Sequence, residues 1–227
     1  ITLGFPGYPD LSEMSPLDTF RFATGDVDTN LAYMNHGLMP WYADPEVRIA
    51  FWRPLAALSH YLDTLAFDDW APPMYAQNIA WFLAAGVMLH LLYRRTLGPA
   101  WVATLGTLLF LVDDSKAMPV GWISNRNGIM ALFFVAAVIY CHDRWRRGGE
   151  GWFGVLAAGL LAIGMLAGEA TITAGGYLFA HALFLDRRGP VRGFVALLPY
   201  AAVVLAWMIP YKRSEERRVG KECRSRW

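Results

Sequence analysis

The sequence predicts an all-α, multi-pass membrane protein whose first 73 residues form a non-cytoplasmic loop carrying short interfacial helices. Three observations predict it. The chain has 227 residues, 56% of them hydrophobic and 15% aromatic, above the apolar share of a soluble domain. Charges between Met74 and Tyr211 fall only at intervals, leaving six uncharged runs at about 74–93, 97–112, 127–142, 151–168, 170–185 and 193–211. Every second loop between those runs is basic.

Within residues 1–73, "GFPGYPDLSEMSPLD" is rich in Pro, Gly and Ser and reads as an extended segment. Asp28 and Thr29 are placed to cap a helix beginning near Asn30. In "RPLAALSHYLDTLAF", Leu55, Leu58, Leu62 and Leu65 recur at the i, i+3, i+7, i+10 spacing of an amphipathic helix. With the Trp and Tyr around it, this fits helices lying in the membrane interface. No segment has the length or alternation of a β-sheet domain, and no internal repeat is present.

Residues 74–211 form the expected six-helix transmembrane region. Its runs are about 16 to 20 residues long, against the ~20 an α-helix needs to cross the hydrocarbon core. Surface helices of a soluble bundle carry polar residues every third or fourth position, whereas these runs are apolar all round. Arg94 and Arg95, the stretch Asp143 to Glu150, and the stretch Asp186 to Arg192 are the basic loops. By the tendency of Lys and Arg to stay on the cytoplasmic side, they mark the cytoplasm. Residues 1–73, the loop "DDSKAMPVGWISNRNG" and the Glu169 turn then share the opposite face, and the expected location is the bacterial inner (plasma) membrane.

The tail "RSEERRVGKECRSRW" breaks this pattern, because it places a basic segment on the side where basic residues are disfavoured. It resembles a common sequencing adapter translated in frame, and residues 212–227 are set aside as artefactual sequence. Removing the six basic and three acidic residues of Arg213 to Trp227 takes the formal charge from +1 to −2. No basic footprint for nucleic acid remains. Cys223 goes with the tail, leaving Cys141 alone, so neither a disulfide framework nor a zinc spacing is present. The chain opens at Ile1 without methionine, and truncation is expected at both ends.

Between Phe51 and Phe184 the polar punctuation carries a resemblance. "FWRPLAALSHYLDTLAF" followed by "YAQNIAWFLAAGVMLHLLYRR", then "PVGWISNRNGIMALFFVAAVIY", then "GMLAGEATITAGGYLFAHALF" resemble, in order and spacing, segments of GT-C-type multi-pass membrane glycosyltransferases, including O-mannosyltransferase-like proteins. Arg53, Asn78, Trp122, Arg126 and Glu169 are the residues that carry the match. There are departures. Where many relatives have "HPVHVEAVAW", this chain has "DDSKAMPVGW", so Asp113, Lys116 and Met118 stand at the positions of their two His and Glu. The lysine of the family's "SKE" is absent from "AGE", and only Glu169 transfers.

The resemblance implies transfer of a sugar from a polyprenyl-phosphate-linked donor to an acceptor on the non-cytoplasmic face. Membrane lipid is the other expected partner. An acceptor hydroxyl needs a carboxylate as general base or orienting group. A departing phosphate is stabilised by Arg or Lys, or by a divalent metal held by carboxylates. The family places its essential Asp in the first external loop, which makes Asp26 the first candidate catalytic residue and Asp28 the second; either also serves as a helix cap. Arg53, Arg126 and Glu169 are the candidate substrate- and phosphate-binding residues. Each has a structural alternative: Arg53 paired with Asp63, Glu169 paired with Arg126 or Lys116, Arg126 capping the helix that follows it. His60, His90 and His181 read as packed or hydrogen-bonded side chains, and Asp113 and Asp114 as a solvated loop. A transporter, or a structural or assembly component of the membrane, is the alternative class; in an enzyme the candidate residues converge on one cavity at the non-cytoplasmic side.

Overall fold

The computed structural model describes residues 19–68 and 70–214. The extended stretch expected before residue 19 and the tail after residue 214, with Cys223, lie outside the described residues. The fold is a helical bundle with one small ribbon at its edge. Strands β1 (Arg21–Thr24) and β2 (Arg48–Ala50) pair antiparallel, and helix α1 (Val27–Asn35) sits in the excursion between them. Buried Asn30 fastens that excursion, donating to the carbonyls of Pro45 and Val47 at 2.7 and 2.8 Å. A ribbon of three- and four-residue strands is invisible to a search for strand length and alternation, and the sequence reading had not foreseen it.

Helix α2 (Pro54–Phe67) follows, opened by a proline in its first turn, where the missing N–H costs nothing. Its orientation is the reverse of a soluble surface helix. Ala56, Ala57 and Asp63 are buried, while Leu58, Leu62 and Leu65 of the apolar stripe point outward. In water such a stripe is a liability; at a bilayer it is the surface that meets lipid.

The bundle proper consists of α3 (Ala71–Thr96), α4 (Ala100–Val112), the short α5 (Ala117–Gly121), α6 (Arg126–Gly148), α7 (Trp152–Ala167), α8 (Ala174–Ala180), α9 (Pro190–Val195) and α10 (Leu198–Ser214). Three helical stretches are long and apolar enough to cross a membrane: Ala71–Thr96, Ile123–Gly148 and Pro190–Tyr211. Ala100–Val112 and Trp152–Ala167 are apolar but shorter. The expected fifth run is broken into a 3-10 turn over Glu169–Thr173, α8, and a π turn over His181–Leu185. The structure is therefore helical, with three stretches that have the length and composition to cross a membrane and three shorter helical segments in place of six equal runs.

Helix α6 is the central element, packing against α3 on one side and α7 on the other. The main core forms around Val138, Phe153, Leu161, Met165, Leu178 and Trp207. Glycines let the helices approach closely. A Cβ on Gly164 would stand 2.6 Å from both Phe134 Cβ and Thr171 Cγ2, and one on Gly154 would stand 2.7 Å from the Trp145 ring. Outward, Trp101, Leu109, Val155, Phe184, Val191 and Leu205 are exposed, an apolar surface of the kind a bilayer covers.

Candidate functional site

Polar side chains are concentrated in two layers, one at each end of the bundle. At one end the ribbon, α2, the start of α6 and the Glu169 turn meet. Phe20 packs on Ala56 and Ala57 with Phe51 beside it, and the Arg53 guanidinium lies over the rings of Phe51 and Phe20, 4.4 and 5.3 Å from their centroids. From there Arg53 reaches Glu169 with both arms: Nε donates to Oε2 at 2.8 Å, and a second nitrogen donates to Oε1. The pair is partly open, with side-chain exposures of 14% for Arg53 and 34% for Glu169. Gly168 makes room for the turn, since a Cβ there would approach the Asn127 carbonyl oxygen at 3.3 Å.

Arg126 lies in the same layer but is sealed. Fully buried, it forms an ion pair with Asp63 at 2.5 Å. It also donates to Asn78 Oδ1 at 2.7 Å, Ser59 Oγ at 2.8 Å and the Met74 carbonyl at 3.2 Å. The far side of Asn78 donates to the carbonyls of Val120 and Trp122 at 3.3 Å. With its donors taken up by α2, α3 and Asp63, Arg126 is a tie between helices. Two expected alternatives are thereby corrected in their partners: Arg53 pairs with Glu169, not Asp63, and Glu169 pairs with Arg53, not Arg126 or Lys116. Lys116 instead lies 3.4 Å from Asp113.

Asp26 is the N-cap of α1. Its Oδ2 accepts from Thr29 Oγ1 at 2.6 Å and from the Thr29 N–H at 2.9 Å. These bonds, the hydroxyl one first, hold its carboxyl below the usual carboxylate range. Asp28 is exposed in the first turn of the same helix. The helix thus starts at Val27, three residues before the Asn30 start that the pattern predicts, with Asp26 rather than Asp28 or Thr29 as its cap, because Gly25, at φ 80°, turns the chain and leaves Asp26 extended. Thr24 pairs with Arg48 and Arg21 with Ala50, so the Asp26 turn is at the end of the ribbon remote from Arg53, roughly 10 Å of strand away. The ribbon ties the candidate aspartates and the Arg53–Glu169 pair to one end of the bundle without merging them into one cluster.

His60 belongs to this layer too. Burial, followed by the nearby Arg126 charge, pushes its imidazole down to about 4, against a weaker opposing pull from Asp63, and its ring packs against Phe20. It is therefore neutral at physiological pH.

The opposite end holds a second network that the sequence reading missed. Buried Asp143 accepts from Arg95 Nε at 2.7 Å, and Arg147 Nε and His181 Nε2 lie 3.0 and 3.3 Å from its other oxygen. Arg146 pairs with Asp186 at 2.6 Å, and His142 Nδ1 is 3.0 Å from the Tyr200 hydroxyl. Burial raises the Asp186 carboxyl, but the Arg188 N–H and Arg146 outweigh that and hold it below its ordinary value. The signal was present in the sequence, since Arg95, Asp143 and Asp186 flank the three basic loops. These contacts draw all three loops to one end, which fixes the relative direction of α3, α6 and the segment ending at Asp186.

Among the described residues no group of three or more His, Cys, Asp or Glu is arranged to hold a metal ion. Around Glu169 the structure offers one carboxylate already bridged to a guanidinium, a donor set that does not fit a divalent cation. Among the described residues, two cavities stand near the bundle's polar ends and core. One, of about 380 Å³, lies beside the Asp113–Lys116 turn between α3, α4 and α5; the other, of about 360 Å³, lies between α7, α8 and α10. Neither is lined by Asp26, Asp28, Arg53, Arg126 or Glu169. No family model matches the chain, and neither a curated protein nor a solved structure matches it.

Proposed function

We propose that the chain is part of an integral-membrane glycosyltransferase of the GT-C-like type, moving a sugar from a polyprenyl-phosphate-linked donor to an acceptor on the non-cytoplasmic face of a plasma membrane. One observation carries the reading. Two of the segments that carry the resemblance, "FWRPL" and "AGEAT", are 116 positions apart in their charged residues and meet through the Arg53–Glu169 pair. Arg53 is rigidly seated on two aromatic faces, partly open, and at the end of the bundle assigned to the non-cytoplasmic side.

In this reading Arg53 receives the donor phosphate, and Glu169 positions the guanidinium until the phosphate competes for it. The acceptor oxygen attacks the anomeric carbon as the bond from that carbon to the phosphate oxygen breaks. The hydroxyl proton passes to a carboxylate, for which Asp26 is first choice and Asp28 second. Arg126 contributes by holding α2 against α3 and α6. A second reading, a non-enzymatic membrane component, is favoured by the neutralisation of Arg53 by Glu169 and the enclosure of Arg126.

The test is sugar transfer by the complete protein in proteoliposomes, using a panel of radiolabelled polyprenyl-phosphate sugars. Asn caps a helix about as well as Asp, so Asp26→Asn keeps the turn and removes the charge. Transfer is expected to vanish in D26N while expression and membrane insertion persist, and to fall at least tenfold in R53Q, about 1.4 kcal/mol of transition-state stabilisation. Unchanged transfer in D26N removes Asp26 from the site. No transfer by the unaltered protein with any donor supports the non-enzymatic reading.

A further inference from the structure

We propose that the groove between α7, α8 and α10, together with the basic turn at its mouth, binds an anionic diacyl phospholipid of the bilayer, its phosphate on Arg187, Arg188 and Arg192 and one acyl chain in the groove. The proposal is independent of the glycosyltransferase reading. The groove, about 360 Å³, is lined by Leu161, Ile172, Leu178, Leu197 and Val204, and Tyr200 brings the one polar group, which is turned toward His142. Gly175 in its wall leaves it open, with nothing within 4 Å of where a Cβ would stand. From Leu197 to Leu205 it follows α10 for roughly 12 Å of helical rise, a span suited to an extended chain.

The mouth supplies the opposite chemistry. Arg187, Arg188 and Arg192 are exposed, and no described carboxylate pairs with any of them. Asp186, the acid of the turn, is already taken by Arg146. The Ala196 N–H bonds to the Arg192 carbonyl, so the helical ladder continues from α9 toward α10. Arg192 precedes Leu197, the first α10-side residue of the groove wall, by five residues, which brings the basic turn to that end of the groove. Phe184, Val191 and Val195, exposed around the turn, place it at the depth of headgroups. A positive, unpaired mouth above an apolar slot selects a lipid with a net negative headgroup.

The experiment uses the full chain in detergent micelles, titrated with dioleoyl phosphatidylglycerol or dioleoyl phosphatidylcholine. The readouts are Tm and the motionally restricted fraction of the same two lipids carrying a spin label. Phosphatidylglycerol is expected to raise Tm and to be retained about tenfold in preference to phosphatidylcholine. R187Q/R188Q/R192Q is expected to erase the preference, and Gly175→Leu to reduce retention while leaving the fold intact. Equal effects of the two lipids, preference surviving in the triple variant, the full effect from dihexanoyl phosphatidylglycerol, or displacement by an equimolar polyprenyl phosphate each overturns the proposal. If the triple variant does not fold, the spin-label comparison on the unaltered chain and on Gly175→Leu decides.

Discussion

Arg126 and Asp63 show what a charge inside this bundle costs to disturb. Removing one member of a buried pair leaves the other without compensation, at about 3–5 kcal/mol, whereas replacing both is far milder. Arg126→Met is therefore expected to lower Tm sharply in micelles, and the added Asp63→Leu to restore much of it; equal Tm for the single variant and the parent chain would show that the pair is not a tie. His60 gives a pH signature. Its folded value, about 4 against an ordinary 6.5, is depressed, so the unfolded chain binds the extra proton first and stability falls as pH drops from 6.5 toward 4. His60→Gln should flatten that part of a Tm-against-pH curve, and an unchanged slope would place the titration elsewhere. Arg53, Asp63, Arg126 and Glu169 were all legible as charges needing partners, but the partners were exchanged. Spacing along the chain places Arg53 ten residues from Asp63, whereas the fold sends it to a carboxylate 116 residues away. Such a choice is made by tertiary packing, which one sequence does not record.

The same limit appears among the elements. The runs beginning near 74, 127 and 193 were legible because about 20 apolar residues without a break have few other structures open to them. The run from 170 to 185 looked similar, yet its Gly175 and Gly176 and its polar Thr171 and His181 leave it divided between 3-10, α and π turns. The leucine spacing of α2 is legible in the sequence, but which way the stripe faces follows from Ser59 and Asp63, which turn inward to Arg126. The tightest helix crossing is at Gly164, where α7 meets α6 and the Thr171 hydroxyl donates to the Gly164 carbonyl at 2.8 Å. An added methyl has no room there. Gly164→Ala is expected to cost about 1–3 kcal/mol, read as a lower Tm, while Gly159→Ala, facing open space, should be neutral; equal behaviour of the two would argue against a close crossing at Gly164.

Across the whole molecule, the two polar layers are linked by the helices that bear them. Asn78 and Arg95 are 17 residues apart on α3, and Arg126 and Asp143 are 17 apart on α6, so each helix holds its two anchors roughly 25 Å apart. Because both helices are pinned at both levels, the protein has a built-in gauge. A typical hydrocarbon core is ~30 Å thick; both helices run past these anchors and are long enough to cross it, so with the two polar layers at the headgroup levels the bilayer thins around the protein, at a fraction of a kcal/mol per Å. Reconstituted into phosphatidylcholines of graded chain length, the chain should show its highest Tm in lipids shorter than dioleoyl, and a maximum in longer lipids would contradict the gauge. In a cell whose membranes differ in thickness, two salt-bridged girdles would therefore sort this protein toward the thinner ones, with no targeting signal needed.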